Sequence, residues 1–249
     1  MKFIKTYKSP NFNTRKDPKK IKYIIIHYTA MLSDLEALKH MCSKSSKVSS
    51  HFLVNKAGNI YELVDIKKRA WHAGKSYWKN TTDINSLSIG IEIDNSGHLN
   101  KFEKYRKKQI DSLIKLVKKL RIDYKISRHN ILGHSDVAPY RKIDPGEKFP
   151  WIELNKKNLC YLPFKKQQQT KTYQDSKSII LDNNYKNKTL KMLKYIGYDT
   201  RNLNKKSKKF TNLILNYQRH YFQERVTGKL DLKTYEIINK HYKDLLTNI

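Results

Sequence analysis

A chain of 249 residues, 38% hydrophobic and 30% charged, has room for one mid-sized domain with a real core and a smaller second unit, the rest being heavily solvated. No run approaches the ~18 apolar residues that a membrane span requires, and residues 1–20 carry lysines but no apolar segment of a signal peptide. The net charge of +30 favours polyanions of every kind, yet the lysines are spread over the whole length without a recognised reading motif, so no specific nucleic-acid partner is expected.

In chain order, Ile21–Thr29 (IKYIIIHYT) is a nearly continuous β-branched and aromatic run, which predicts a central strand buried on both faces. Ser33 and Asp34 can cap a helix over Leu35–Met41. Ser50–Asn55 and Ile60–Val64 flank Lys56-Ala57-Gly58-Asn59, a hairpin pattern in which Gly and Asn can supply positive φ. In Ser88–Asp94 (SIGIEID) the isoleucines alternate with Gly90, Glu92 and Asp94, so a strand here sends Glu92 to the face opposite Ile89, Ile91 and Ile93. A long amphipathic helix is predicted over Glu103–Leu120, with Ile110, Leu113, Ile114, Val117 and Leu120 as its core stripe. Arg128–His134 then leads into a loop containing Pro and Gly, Ser135–Pro150. This alternation argues for an α/β or α+β domain over residues 1–160.

Residues 165–177 are polar and aperiodic, marking a linker, placed at 161–184, or an extended surface strap. Helical periodicity returns over 185–249. Leu190, Met192, Leu193 and Ile196 lead to Gly197; Phe210, Leu213, Ile214 and Tyr217 lead to Phe222; and Leu230–Leu246 closes the chain. Three short helices predict a small bundle, marginal alone and therefore docked on its neighbour. Cys42 and Cys160 form neither a CxxC pair nor a disulfide framework and read as buried small residues.

His27 ends the first strand, His134 follows Gly133, and Asp144 lies ten residues further on, before Pro145-Gly146. A hydrolytic zinc site takes three N/O protein ligands and keeps one position open for water, a need that two His and one Asp can meet. Taken singly, a strand-end His is more often a hydrogen-bonded core residue, and an Asp before Pro-Gly a turn former. Glu92 and Lys142, taken singly, read as a solvated strand carboxylate and a surface lysine.

The segments IIIHYT, SSHFLV, RAWHAG, SIGIEID and LGHSDVAPYRKIDPG, in this order over about residues 20–152, together resemble the type 2 N-acetylmuramoyl-L-alanine amidase family, which shares them with bacteriophage amidases and peptidoglycan recognition proteins. The resemblance implies an α/β fold, a central mixed β-sheet flanked by helices. It implies one zinc ion held by His27, His134 and Asp144, with Glu92 as the catalytic acid–base and Lys142 as the stabiliser of the oxyanion. The reaction implied is hydrolysis of the amide bond between the lactyl group of (anhydro-)N-acetylmuramic acid and L-alanine of peptidoglycan or muropeptides. That all five residues are present counts against the alternative within the fold, a module that binds muropeptides without cutting them. Trp71, His72, Asn85 and Lys47 fall where the substrate groove is expected, although His72 reads equally as a hydrogen-bond partner of the site and Asn85 can instead simply shape its loop. His51 could line the same cleft, while His40, His98, His129, His220 and His241 read as ordinary polar residues.

The stretch NYQRHYFQERVTGKLDLKTYEIINKHY resembles the small three-helix peptidoglycan-binding domains. The two resemblances in tandem imply a two-domain, monomeric amidase of the periplasm or cell envelope, with the cytoplasm as the alternative address.

Overall fold

The structure, a computed structural model, describes residues 1–163, 182–203 and 207–247. Most of the predicted linker, 161–184, therefore lies outside the described residues.

Strand β1 (Phe12–Thr14) pairs antiparallel with β5 (Lys68–Ala70) in a small separate sheet. The main sheet has five strands in the order β4-β3-β6-β2-β7. Its members are β2 (Tyr23–Tyr28), β3 (Phe52–Val54), β4 (Ile60–Glu62), β6 (Ser88–Ile93) and β7 (Ile131–Gly133). Only the β3–β4 pair is antiparallel, so the sheet is mixed, as expected. Ile24, Ile25 and Ile26 of β2 are wholly buried, consistent with a strand bonded on both edges. At the hairpin, Gly58 takes φ +87° and Asn59 does not; the Asn55 side chain instead accepts from the Ala57 and Asn59 amides.

Helix α1 (Asp34–Cys42) starts at Ser33, whose hydroxyl accepts from the Glu36 amide. Its Ala37, Leu38 and Met41 pack with Leu53 and Leu63 as a satellite cluster on the sheet. A single turn, α2 (Ile84–Leu87), leads straight into β6. Helix α3 runs over Lys107–Asp123, four residues later at its start than the periodicity predicts. The reason is that the preceding segment has other partners. Glu103 pairs with Lys56 at 2.8 Å, its carbonyl accepts from Asn95 Nδ2, and Phe102 is buried. The buried Gln109 side chain donates to the Val54 and Asp94 carbonyls, tying the first turn of α3 to the ends of β3 and β6.

The segment predicted as loop from Ser135 opens with one helical turn, α4 (His134–Val137), and ends at α5 (Trp151–Lys156). Helices α6 (Asn183–Ile196), α7 (Lys208–Tyr221) and α8 (Leu232–Thr247) follow. Their buried residues, among them Leu193, Leu213, Tyr217 and Ile238, belong to the same continuous hydrophobic core as the sheet. Buried Gln218 holds the α7–α8 turn, accepting from the Thr227 and Gly228 amides and donating to the Lys229 carbonyl. Gly197 takes φ +140° against Trp78, where a Cβ would lie 2.6 Å from the indole. No helix among the described residues is long and apolar enough to cross a membrane.

Candidate metal centre

The parallel register sets His27 of β2 directly beside Glu92 of β6, and residues paired this way share a sheet face. On β7, Gly133 pairs with Ile26, so His134 emerges at the same sheet end, next to His27. The loop after α4 folds back, with the Ser135 amide donating to the Asp144 carbonyl at 2.9 Å, and returns Asp144 to the two histidines. Ligands in sheets of this kind collect beyond the carboxyl ends of parallel strands, and these three side chains do so.

His27 Nδ1 lies 3.0 Å from His134 Nδ1 and 3.1 Å from Asp144 Oδ2, which is 3.0 Å from His134 Nδ1. All three residues are buried, and their ligand atoms lie within 4.8 Å of one another, so the group can hold a metal ion. Hydrogen-bond accounting fixes which nitrogens carry protons. A backbone carbonyl only accepts, so His134 Nε2–H donates to Ala73 O at 3.1 Å and leaves Nδ1 bare. The Ser88 hydroxyl donates to Ile84 O at 2.6 Å, so it accepts from His72 Nε2–H at 3.2 Å. His72 Nδ1 is then bare and accepts from His27 Nε2–H at 3.0 Å, which leaves His27 Nδ1 bare as well. Two bare imidazole nitrogens and a carboxylate oxygen thus face one another at hydrogen-bond distance. Three lone pairs pointed together repel unless a positive centre lies among them.

The charges agree with this arrangement. Burial, reinforced by His134, pulls His27 down to about 4, against the pull of Asp144 in the other direction. Burial alone would raise Asp144; the facing His134 and His27 outweigh it and hold the carboxyl well below its usual range, so it is the ionised carboxylate that faces the two nitrogens. Glu92 behaves oppositely. Burial and the neighbouring Asp144 push its carboxyl well above the usual range, against the opposing charge of Lys142. Its Oε2 is sealed from solvent with no hydrogen-bond partner among the described residues. An unpartnered buried carboxylate oxygen at the edge of a cavity is costly and calls for a functional explanation.

His27, His134, Asp144, Glu92, Lys142, His72 and Trp71 line one cavity of about 240 Å³, closed on its far side by α1 and the segment after it. That far wall includes His40, Met41 and Val48, which sequence reasoning missed; the amphipathic pattern of α1 was the available signal. Larger grooves of about 890 and 960 Å³ lie elsewhere, lined by lysines and lacking this donor cluster. The remaining sequence candidates sit apart from the cavity. Asn85 is buried behind it, its amide oxygen accepting from the His72 and Ala73 amides, so that it holds the WHAG segment in place. Lys47 is exposed in a left-handed turn and is not among the cavity-lining residues. His51 is buried, accepting from the Gly90 amide at Nδ1 and drawn down to about 3 by burial and Arg15. The Trp71 indole donates to Asn13 Oδ1 at 2.6 Å.

A family model described as N-acetylmuramoyl-L-alanine amidase matches residues 17–147, just over half of the chain. The chain is 38% identical over 156 residues to the N-acetylmuramoyl-L-alanine amidase AmiD of Escherichia coli. That match covers 58% of this chain and 55% of the relative, so the chain spans about half of the relative's length. The solved complex of E. coli AmiD with anhydro-N-acetylmuramic acid-L-Ala-D-gamma-Glu-L-Lys is similar with a TM-score of 0.79 at 30% identity, covering 90% of both chains. AmpDh3 from Pseudomonas aeruginosa, in complex with anhydromuramic pentapeptide, is similar with a TM-score of 0.74 at 25% identity, covering 98% of this chain and 99% of that one.

Proposed function

Because the chain belongs to the N-acetylmuramoyl-L-alanine amidase family, we propose that it is a zinc-dependent amidase cutting between the lactyl group of (anhydro-)N-acetylmuramic acid and L-alanine. The observation that carries this reading is the meeting, in one cavity, of three bare ligand atoms with an unpartnered buried Glu92 oxygen and Lys142. Two neutral imidazoles and one carboxylate suit zinc in a site that keeps a position open. His27, His134 and Asp144 would hold the ion. A bound zinc ion supplies Lewis-acid chemistry, polarising an amide carbonyl and making water a stronger acid.

The protein's own groups then divide the remaining work. Glu92 takes the proton of the attacking water on its carboxylate and delivers it to the departing alanine amine, a task suited to a carboxyl whose proton affinity is raised. Lys142 places its ammonium where negative charge develops on the carbonyl oxygen. Trp71 and the α1 wall shape the groove for sugar and peptide. The anhydro-muropeptides bound in the AmiD and AmpDh3 complexes support a muropeptide substrate with an anhydro sugar.

Helices α6–α8 make up the second unit, over 185–249, beside a catalytic unit over 1–160. Their likeness to peptidoglycan-binding domains supports an envelope address, which cell fractionation would check. The enzymatic reading is tested by incubating the protein with anhydro-muropeptides or intact sacculi, with zinc or with a chelator. Free stem peptide should be seen by mass spectrometry with zinc and disappear with chelator. Binding without release would replace the enzyme by a recognition module.

A further inference from the structure

The loop between β7 and α5 carries His134, Lys142 and Asp144, yet beyond one helical turn it has no regular structure to define its course. Its polar backbone groups must find partners elsewhere. Many of them find these on the C-terminal helices. Asp136, wholly buried two residues after His134, receives three hydrogen bonds. The Gly133 amide donates to Oδ2 at 2.7 Å, His220 Nδ1 of α7 donates to the same oxygen at 2.6 Å, and the Tyr198 hydroxyl donates to Oδ1 at 2.5 Å. His220 is itself fixed between the rings of Trp151 and Tyr221, at 3.7 and 3.8 Å between centroids.

One turn back along α7, the buried Asn216 side chain donates to the Pro139 carbonyl at 2.7 Å and the Lys142 carbonyl at 3.1 Å. Its own oxygen accepts from Arg219, which also reaches Glu147 at 3.3 Å. Just past the helix, Gln223 donates to the Glu147 and Phe149 carbonyls, both at 2.7 Å. Side chains of α7 and of the segment just past it therefore hold the loop at Asp136, at Pro139 and Lys142, and at Glu147 and Phe149. Asp144 lies between these points, His134 stands two residues before the first, and Lys142 is itself held at the second.

We propose that α7 forms the outer half of the metal centre, with His220 and Asn216 as positioning residues that set metal affinity and turnover from the C-terminal helices. The two nodes act on different groups. The His220–Asp136–Gly133 chain governs where His134 emerges from β7, and so acts on the metal. Asn216 holds the Lys142 backbone, and so acts on the chemical step. The turnover part of the proposal rests on the amidase reading; the metal part does not.

The test uses the full chain with three substitutions. His220→Phe keeps an aromatic ring for the stack and removes the donor to Asp136. Tyr198→Phe removes only the hydroxyl, and serves as the second probe of that node should His220→Phe fail to fold. Asn216→Leu keeps the branched outline of the side chain and removes both donor hydrogens. Zinc affinity, measured by competition with a chromophoric chelator and without substrate, should fall ~10–100-fold in His220→Phe or Tyr198→Phe and by less than about twofold in Asn216→Leu. Asn216→Leu, saturated with zinc, should lose roughly tenfold or more in kcat with little change in KM. Folded variants at the Asp136 node with zinc affinity within about twofold of the parent would overturn the metal part. A folded Asn216→Leu with unchanged kcat would overturn the catalytic part. If the parent releases no stem peptide the amidase reading fails, while the affinity measurement still decides whether α7 controls the metal.

Discussion

Two backbone carbonyls, Ala73 O and Ile84 O, determine the proton pattern of the histidine cluster, because each accepts and cannot donate. Through them His134 and His27 both present bare Nδ1 atoms towards Asp144, and His72 becomes the group that holds His27 in its tautomer. Replacing His27 or His134 by Ala should therefore abolish stoichiometric zinc in elemental analysis of the purified protein. Glu92→Ala should behave differently, with zinc retained and stem-peptide release lost. Turnover surviving in Glu92→Ala would mean that another group moves the proton. His27, His134, Asp144, Glu92 and Lys142 were all legible from the ordered motifs. For His72 and Asn85 the motifs left a groove role and a supporting role both open, and the choice depends on which atoms lie around them: His72 bonds His27 and Ser88, and Asn85 holds the WHAG amides.

At the scale of elements, β6 shows how one alternating strand serves two faces. Its isoleucines enter the main core, while Ser88, Gly90 and Glu92 face the histidines. Gly90 matters here for its missing side chain: a Cβ would stand 2.4 Å from His72 Cγ. His72 cannot easily retreat, since Ser88 and His27 hold both of its ring nitrogens. Gly90→Ala should cost about 1–3 kcal/mol by overpacking, read as a lower Tm, and should weaken zinc binding through the displaced His72. An unchanged Tm would show that the ring has room the structure does not reveal. The period-two pattern of β6 and the 3.6 period of α3 were plain in the sequence. The late start of α3 was not, since Glu103 is drawn away by Lys56, a partner 47 residues distant (103 minus 56).

At the scale of the whole molecule, one core continues from the sheet into α6–α8, and polar contacts reinforce the junction. Among them, Glu147 carries a pH signature in the acid range. Its hydrogen bond to His98, opposed by burial and supported by Arg219, brings its carboxyl down from 4.5 to about 2. A carboxyl depressed on folding stabilises the protein above its unfolded value, and that contribution disappears as pH falls through the folded one. Urea titrations should therefore find Glu147→Gln less stable than the parent at pH 6–7, with the gap closing between about pH 4.5 and 2. A gap constant across that range would show that the loss comes from packing rather than charge.

What the sequence determined by itself was whatever short periods and ordered motifs encode: strands β2, β3, β4 and β6 though not the three-residue β1, β5 and β7, the helical stripes, the succession of His, Glu, His, Lys and Asp, and the presence of three C-terminal helices. The tertiary structure decided the rest. It chose which nitrogen of each histidine faces the site, put Asn85 behind the cleft, and left Lys47 outside the cavity lining. It also gave Asp136 partners 62 and 84 residues away in Tyr198 and His220, one of them a histidine that reads as ordinary in the sequence. The physical reason is common to all of these. Periodicity reports which face a residue takes, whereas a buried polar atom is defined by the partner it meets, and that partner arrives from a distant part of the chain only once the core has closed.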